Sequence, residues 1–280
     1  MRQPLLAFMT DYGTRDGFPA VCHGVIATIA PEIRILDVSH QVPPQDVRHG
    51  AIVLRRAARF LPPAVYVAVV DPGVGTPRRP IALRAGDSFF VGPDNGLLVD
   101  AAEARGEIEQ VRVIANPDWL LRTTDRTFDG RDVFAPVGAR LAAGEPLAEC
   151  GELADPAGLV RLPASSSAPE PGGGWRTAVR YLDSFGNVQL TGSTAEFTPA
   201  LGEAVRVADA DGNELAVATA AGAFGEVPEG GLLCYADADG RPALAVRNGS
   251  AAALLGVRTG DTLRLTPVRP ETGIQVRARH

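Results

Sequence analysis

The stretch RTFDGRD, residues 126–132, sets Asp129, Arg131 and Asp132 around Gly130, a charge density that no helix or strand requires. Upstream, VVDPGVGTPRR, residues 69–79, follows an apolar run with Asp71, two glycines, Arg78 and Arg79. Carboxylates and guanidinium groups on short loops can hold an anion, polarise a water or take its proton. A tight strand exit with surface arginines would use the same residues, so taken alone they leave both uses open. The loop is not a Walker loop, because the spacing and the closing Lys-Ser/Thr are absent.

Other polar residues follow apolar runs directly. Thr10 and Asp11 come after LLAFM, and Asp94 with Asn95 comes after SFFVGP. In parallel α/β sheets ligands collect beyond the C-terminal ends of strands, which is where these residues fall. Any one acid there could cap a helix or stiffen a turn, but Asp11, Asp71 and Asp94 together favour a site. In the second half, YLDSFGNVQL places Asp183, Phe185 and Asn187 around a glycine. A carboxylate suits an ammonium group, an amide pairs with an adenine-like edge and an aromatic face stacks on it. A hairpin with an exposed Asx turn accounts for the same residues.

No metal centre is expected. Cys22, Cys150 and Cys234 are odd in number and far apart, which supports neither disulfides nor a zinc site and implies free buried thiols. The four histidines lack HExxH or HxH spacing and read as hydrogen-bonded or surface residues.

The elements that must position these groups follow from the hydrophobic pattern. LLAFMT, IRILDVSH and AVYVAVV are strand-like runs separated by the helical periods GFPAVCHGVIATIAPE and DVRHGAIVLRRAARFLP. Runs as apolar as VYVAVV belong to strands buried on both faces, so the first part is expected to be an α/β/α sandwich with a mostly parallel sheet. PIALRAG and SFFVGPDNG add strands, and DVFAPVGARLAAGEPL a helix. Residues 163–174, rich in Ser, Pro and Gly, read as a connector between domains at 1–162 and 175–280. The second domain contains short strands with ADADG turns at two places, a repeat that turn chemistry alone explains, and is expected to close as a small β-barrel or sandwich.

Composition bounds the partners. With 45% apolar and 21% charged residues the 280-residue chain should be globular, and a net charge of −6 leaves no basic stripe for nucleic acid. The apolar run near the N-terminus is too short for a signal segment and no later run approaches a membrane span, which implies a cytoplasmic protein without membrane partners.

Taken together and in order, FMTDYGTRDGF, DVSHQVPPQDVRHGA, VVDPGVGTPRR, VGPDNGLL, TFDGRDVFAP and DSFGN resemble the S-adenosylmethionine (SAM) hydrolase family, also called SAM hydroxide adenosyltransferases, relatives of fluorinase and chlorinase. The resemblance runs from the N-terminus to about residue 250. It implies an N-terminal α/β/α domain, a C-terminal β-barrel-like domain and a homotrimer with active sites between subunits. SAM would be the substrate rather than a cofactor, no other cofactor is needed, and adenosine would be the product. By position, Asp11 would grip the ribose hydroxyls. Asp183 and Asn187 would hold the methionine amino group and adenine, with Phe185 and Phe224 flanking the ring and the backbone of Val246 and Arg247 reading its edge. Asp71 and Arg78 would fill two places of an Asp-Arg-His set that positions and activates water, and Asp129 stands in the third place where the family carries histidine. Ala238 likewise stands where relatives carry a serine that meets the methionine carboxylate. Arg131 and Asp132 fit an ion pair or a helix start.

The implied reaction is attack of water or hydroxide at C5′ of the ribose, with methionine leaving from the sulfonium. A chlorinase-type halogenase would share fold and substrate, but Asp71 stands where fluorinase has a tyrosine and Gln45 where it has a tryptophan, and a carboxylate beside the nucleophile repels halide. A non-catalytic SAM- or adenosine-binding module is the alternative outside the enzymes. A conventional Rossmann methyltransferase is disfavoured because no GxGxG turn follows the first strand.

Overall fold

The computed structural model describes residues 5–122, 127–164 and 166–268, in two compact units between which the chain passes at Pro163 and Ala164. Arg126 of the acidic turn, and residues 269–280 assigned from sequence to the second domain, lie outside the described residues. The first unit contains β1 (Leu5–Thr10), α1 (Phe18–Ile29), β2 (Arg34–Ser39), α2 (Val47–Phe60), β3 (Val65–Val69), β4 (Pro80–Ala85), β5 (Ser88–Pro93), α3 (Val99–Glu103) and β6 (Ile108–Ile114). A π-helical turn, Gly130–Phe134, then runs into α4 (Ala135–Ala143), and β7 (Gly151–Ala154) follows.

These strands form one sheet in the order β2-β1-β3-β5-β4-β6-β7. β2, β1, β3 and β5 are parallel, whereas β4 runs against both its neighbours and β7 against β6. Every residue of β1 and β3 is buried, as their unbroken apolar runs require. Alternation sends their side chains to two faces. Leu5, Ala7 and Met9 pack with Leu54 and Ala58 of α2 and Ala102 of α3, while Leu6 and Phe8 pack with Ile26 of α1 and Val137 of α4. The result is the expected α/β/α sandwich. Asp46 starts α2 by accepting the His49 backbone N–H at 2.9 Å, a cap worth about 1 kcal/mol. Gly144, at φ +97°, ends α4 in the left-handed conformation.

The second unit contains β8 (Ala168–Glu170), β9 (Gly174–Leu182), β10 (Val188–Leu190), β11 (Ala204–Ala208), β12 (Glu214–Ala220), β13 (Leu232–Ala236), β14 (Pro242–Val246), α5 (Ala251–Leu255) and β15 (Thr262–Val268). Their order is β10-β14-β13-β12-β11-β15-β9-β8, and β9 also pairs with β10, closing a seven-stranded barrel that β8 extends outside. Trp175 fills its interior, stacked on Phe197 at 5.3 Å. The Ser/Pro/Gly-rich stretch therefore includes a short strand, Ala168–Glu170, paired with β9. The two ADADG segments make the same turn: Asp209 accepts the N–H groups of Asp211 and Asn213, and Asp237 those of Asp239 and Arg241.

Candidate active site

In the first unit the predicted residues converge. Asp11 follows β1, Asp71 comes two residues after β3, and Asp129 begins the π-helical turn, so strand ends and one helix start deliver all three carboxylates to a single pocket. The pocket has a volume of about 80 Å³ and is lined also by Tyr12, Val69, Val74, Thr127, Phe128 and Gly130. Arg78 ties two of the acids together. Its Nε donates to Asp71 Oδ1 at 3.2 Å, and its Nη2 donates both to Asp71 Oδ2 and, at 2.6 Å, to Asp129 Oδ2. The guanidinium is nearly buried and lies over the Phe134 ring at 5.4 Å, which leaves it few partners besides these carboxylates.

The loop from Asp71 to Arg78 holds itself in place. Asp71 Oδ1 accepts the Gly73 N–H at 3.2 Å, Thr76 Oγ1 donates to the Gly73 carbonyl at 2.7 Å, and the same oxygen accepts the Arg78 N–H at 3.3 Å. Asp11 is fixed from the other side, its Oδ2 accepting the Gln45 N–H at 2.8 Å, with Gln45 held at φ +65°. Burial pushes the Asp71 carboxyl above its ordinary range, against the opposing pull of Arg78 and the Gly73 N–H, and the neighbouring Asp129 adds to the rise. The second acid on the same guanidinium thus adds its charge to burial in disfavouring ionised Asp71.

Tyr12 and Phe128 also line the pocket and were not among the predicted residues. Each adjoins a predicted acid in sequence, and that adjacency is the signal that could have found them. Their rings meet edge-on at 5.5 Å, and a Cβ at Gly130 would come within 2.1 Å of the Tyr12 hydroxyl, so the turn passes against the phenol only because position 130 is glycine. Burial holds the Tyr12 phenol well above its ordinary pKa, leaving it a neutral wall.

Asp94 goes elsewhere. It is buried, pairs with Arg79 and accepts the Val160 N–H at 2.9 Å, and Asn95 donates to the Val70 carbonyl at 2.9 Å. These are structural ties, as is the ion pair of Arg131 with Asp132 at 2.6 Å.

In the second unit the remaining predicted residues gather at one end of the barrel. Asp183, Phe185 and Asn187 form the β9–β10 turn, where Asp183 Oδ1 accepts the N–H groups of Phe185 and Asn187 and Oδ2 accepts Asn187 Nδ2 at 2.8 Å. This is the Asx turn that the residues by themselves suggested, with the Phe185 ring 77% exposed. Gly186 packs on Ser250, and its carbonyl accepts the Ala252 N–H at 2.9 Å, which ties the turn to the segment after Val246. The Arg247 guanidinium donates to the carbonyls of Gly225 and Val227, joining the exposed Phe224 to the same end. Ala238 lies at the other end of β14, where Arg241 donates to the Gly192 carbonyl at 2.8 Å.

Comparison with known proteins identifies the family. Residues 6–151 match the SAM hydroxide adenosyltransferase N-terminal domain and residues 177–264 the corresponding C-terminal domain. A protein of Salinispora arenicola named (R)-S-adenosyl-L-methionine hydrolase is 51% identical over 263 residues, covering 94% of this chain and 98% of that one. A fluorinase of an Actinoplanes species is 31% identical over 210 residues, 66% of this chain and 70% of its own. The crystal structure of an uncharacterized conserved protein from Thermotoga maritima superposes with a TM-score of 0.84 at 35% identity, covering 93% and 99% of the two chains. With both domain models matched in order and similarity running nearly end to end, the chain belongs to the SAM hydroxide adenosyltransferase family.

Proposed function

We propose that this protein is a SAM hydrolase that forms adenosine and L-methionine by attack of water at C5′. The single observation that carries the reading is the Arg78 guanidinium joining Asp71 and Asp129 at a pocket that Asp11 also lines. At about 80 Å³ it has room for ordered water. Asp11 supplies two acceptor oxygens for vicinal ribose hydroxyls. Arg78 fixes the acid pair, and one ionised carboxylate of that pair accepts a proton as water bonds to C5′. The C5′–S bond breaks in the same step and its electron pair stays on sulfur as the neutral thioether of methionine. A sulfonium needs no acid to leave, so the demands on the protein are alignment and partial desolvation of the nucleophile. At the barrel end, Asp183 and Asn187 serve the amino group and the adenine, Phe185 and Phe224 offer faces to the ring, and the backbone of Val246 and Arg247 reads its edge. A homotrimer, bringing this set of one subunit to the carboxylate pocket of another, belongs to the same proposal. So does a cytoplasmic location, with which the three free, buried cysteines are consistent.

Incubation of the purified protein with SAM, with and without chloride, followed by chromatography, tests the reading. Adenosine and methionine in equal amounts are expected in both conditions. A chlorinated nucleoside would make it a halogenase, and binding without product a SAM or adenosine module; either result overturns hydrolysis.

A further inference from the structure

We propose that His23, Asp37 and His40 form a binding site for a single divalent transition-metal ion of the zinc type, separate from the carboxylate pocket. His23 lies in the middle of α1, Asp37 in β2 and His40 just beyond the end of β2. One donor atom from each falls within 4.8 Å of the others. His23 Nε2 is 2.9 Å and His40 Nε2 3.1 Å from the same oxygen, Asp37 Oδ1. Around a tetrahedral zinc ion with ordinary bond lengths, neighbouring ligand atoms stand about 3.3 Å apart. Those two separations therefore need to open by only tenths of an ångström, with the imidazoles brought toward each other by side-chain rotation.

The supporting contacts suit a ligand. His40 is 6% exposed, and its Nδ1 lies 2.8 Å from Thr10 Oγ1, which also accepts the Tyr12 N–H at 3.2 Å. An Nδ1 proton donated to Thr10 leaves Nε2 with a free lone pair close to Asp37, the tautomer that a metal requires. His40 Nε2 is buried and, despite its closeness to Asp37, has no partner in hydrogen-bond geometry. Such an atom is costly to leave bare, and a metal bond satisfies it. His23 and Asp37 remain partly open, with side chains 34% and 45% exposed, which provides an entry path and a fourth position for water. Two imidazoles with one carboxylate favour zinc, cobalt or nickel over magnesium or calcium, which take all-oxygen shells. The site is independent of the hydrolase assignment, and its bonds toward the carboxylate pocket run through Thr10, the residue before Asp11, and through the Gly13 N–H on the His40 carbonyl.

Protein without an affinity tag, stripped with chelator, is titrated with Zn²⁺ against a colorimetric competitor, and with Co²⁺ while visible absorption is followed. One equivalent is expected, with Co²⁺ giving the strong d–d bands of a tetrahedral site. His23→Ala and Asp37→Asn should each weaken zinc binding by at least about tenfold, and Thr10→Val by about 10–100-fold through loss of the bond that orients His40. Circular dichroism of His23→Ala, a change at a partly exposed helix position, should be unaltered. Absence of saturable binding to the wild type would mean that the histidines are merely hydrogen-bonded to Asp37. Equal affinity in the wild type, His23→Ala and Asp37→Asn would put the ion elsewhere. Either result overturns the proposal.

Discussion

Asp129 is the residue on which the chemistry turns. Histidine at this place would bring a base of near-neutral pKa, whereas aspartate places a second carboxylate on Arg78, 2.6 Å from its Nη2. Asp71 is already pushed up by burial, and the charge of Asp129 pushes it further. Asp129→Asn is expected to lower kcat roughly a hundredfold or more, the usual scale for losing a general base, whereas Asp129→His should retain most of it. Turnover by the Asn variant equal to wild type would remove Asp129 from the role of base. The pH profile adds a sign. Proton acceptance needs an ionised carboxylate, and kcat/KM falls as pH drops through the raised pKa of Asp71. In Asp129→Asn the like charge is gone and the Asp71 pKa falls, so the acidic limb of the residual activity should move to lower pH. A limb that stays in place, or moves up, would contradict the coupling.

At the scale of elements, strand ends do the positioning. β1 and β3 are parallel neighbours and end side by side, with Thr10 paired to Val69, so Asp11 and Asp71 emerge at the same edge of the sheet. Asp129 stands at the start of the π-helical turn, which passes close against Tyr12 at Gly130, where a side chain would meet the phenol. β5 ends nearby, yet Asp94 is turned into the protein as the partner of Arg79 and the Val160 N–H. Asp94→Ala would leave the Val160 N–H unpaired and Arg79 with only the Gly158 carbonyl, and should destabilise the first unit by about 1–3 kcal/mol, while activity per folded molecule is unchanged. Denaturant midpoints with kinetics on the folded fraction measure both. Loss of activity without loss of stability would return Asp94 to the site.

For the whole molecule, free cysteines and burial give a further expectation. Burial pushes the thiols of Cys22 and Cys234 up to about 12 and that of Cys150 up to about 11. At pH 8 none should react with a thiol reagent in the native protein, and all three should react once it is unfolded. Rapid labelling of the native protein would mean that one of them is exposed and ionisable. No helix among the described residues is long and apolar enough to cross a membrane.

The amino-acid sequence alone determined the class of architecture, because short apolar runs without polar interruption alternating with helical periods read as strands covered on both faces, and because the two ADADG turns mark hairpins. It also pointed to the loops that carry Asp11 and Asp71, since polar groups directly after such runs leave the sheet, and to Arg78 and Asp129 through the charge gathered on two short loops. Only the tertiary structure decided which of those acids share a guanidinium and which, like Asp94, serve as internal ties, because both uses draw on the same side chains at the same sequence spacing. It alone brought His23 to Asp37 and His40, residues 14 and 17 positions further along, whose meeting depends on how α1 packs beside β2. Local propensity and periodicity act over a few residues, whereas convergence of side chains from separate elements is set by sheet order and packing.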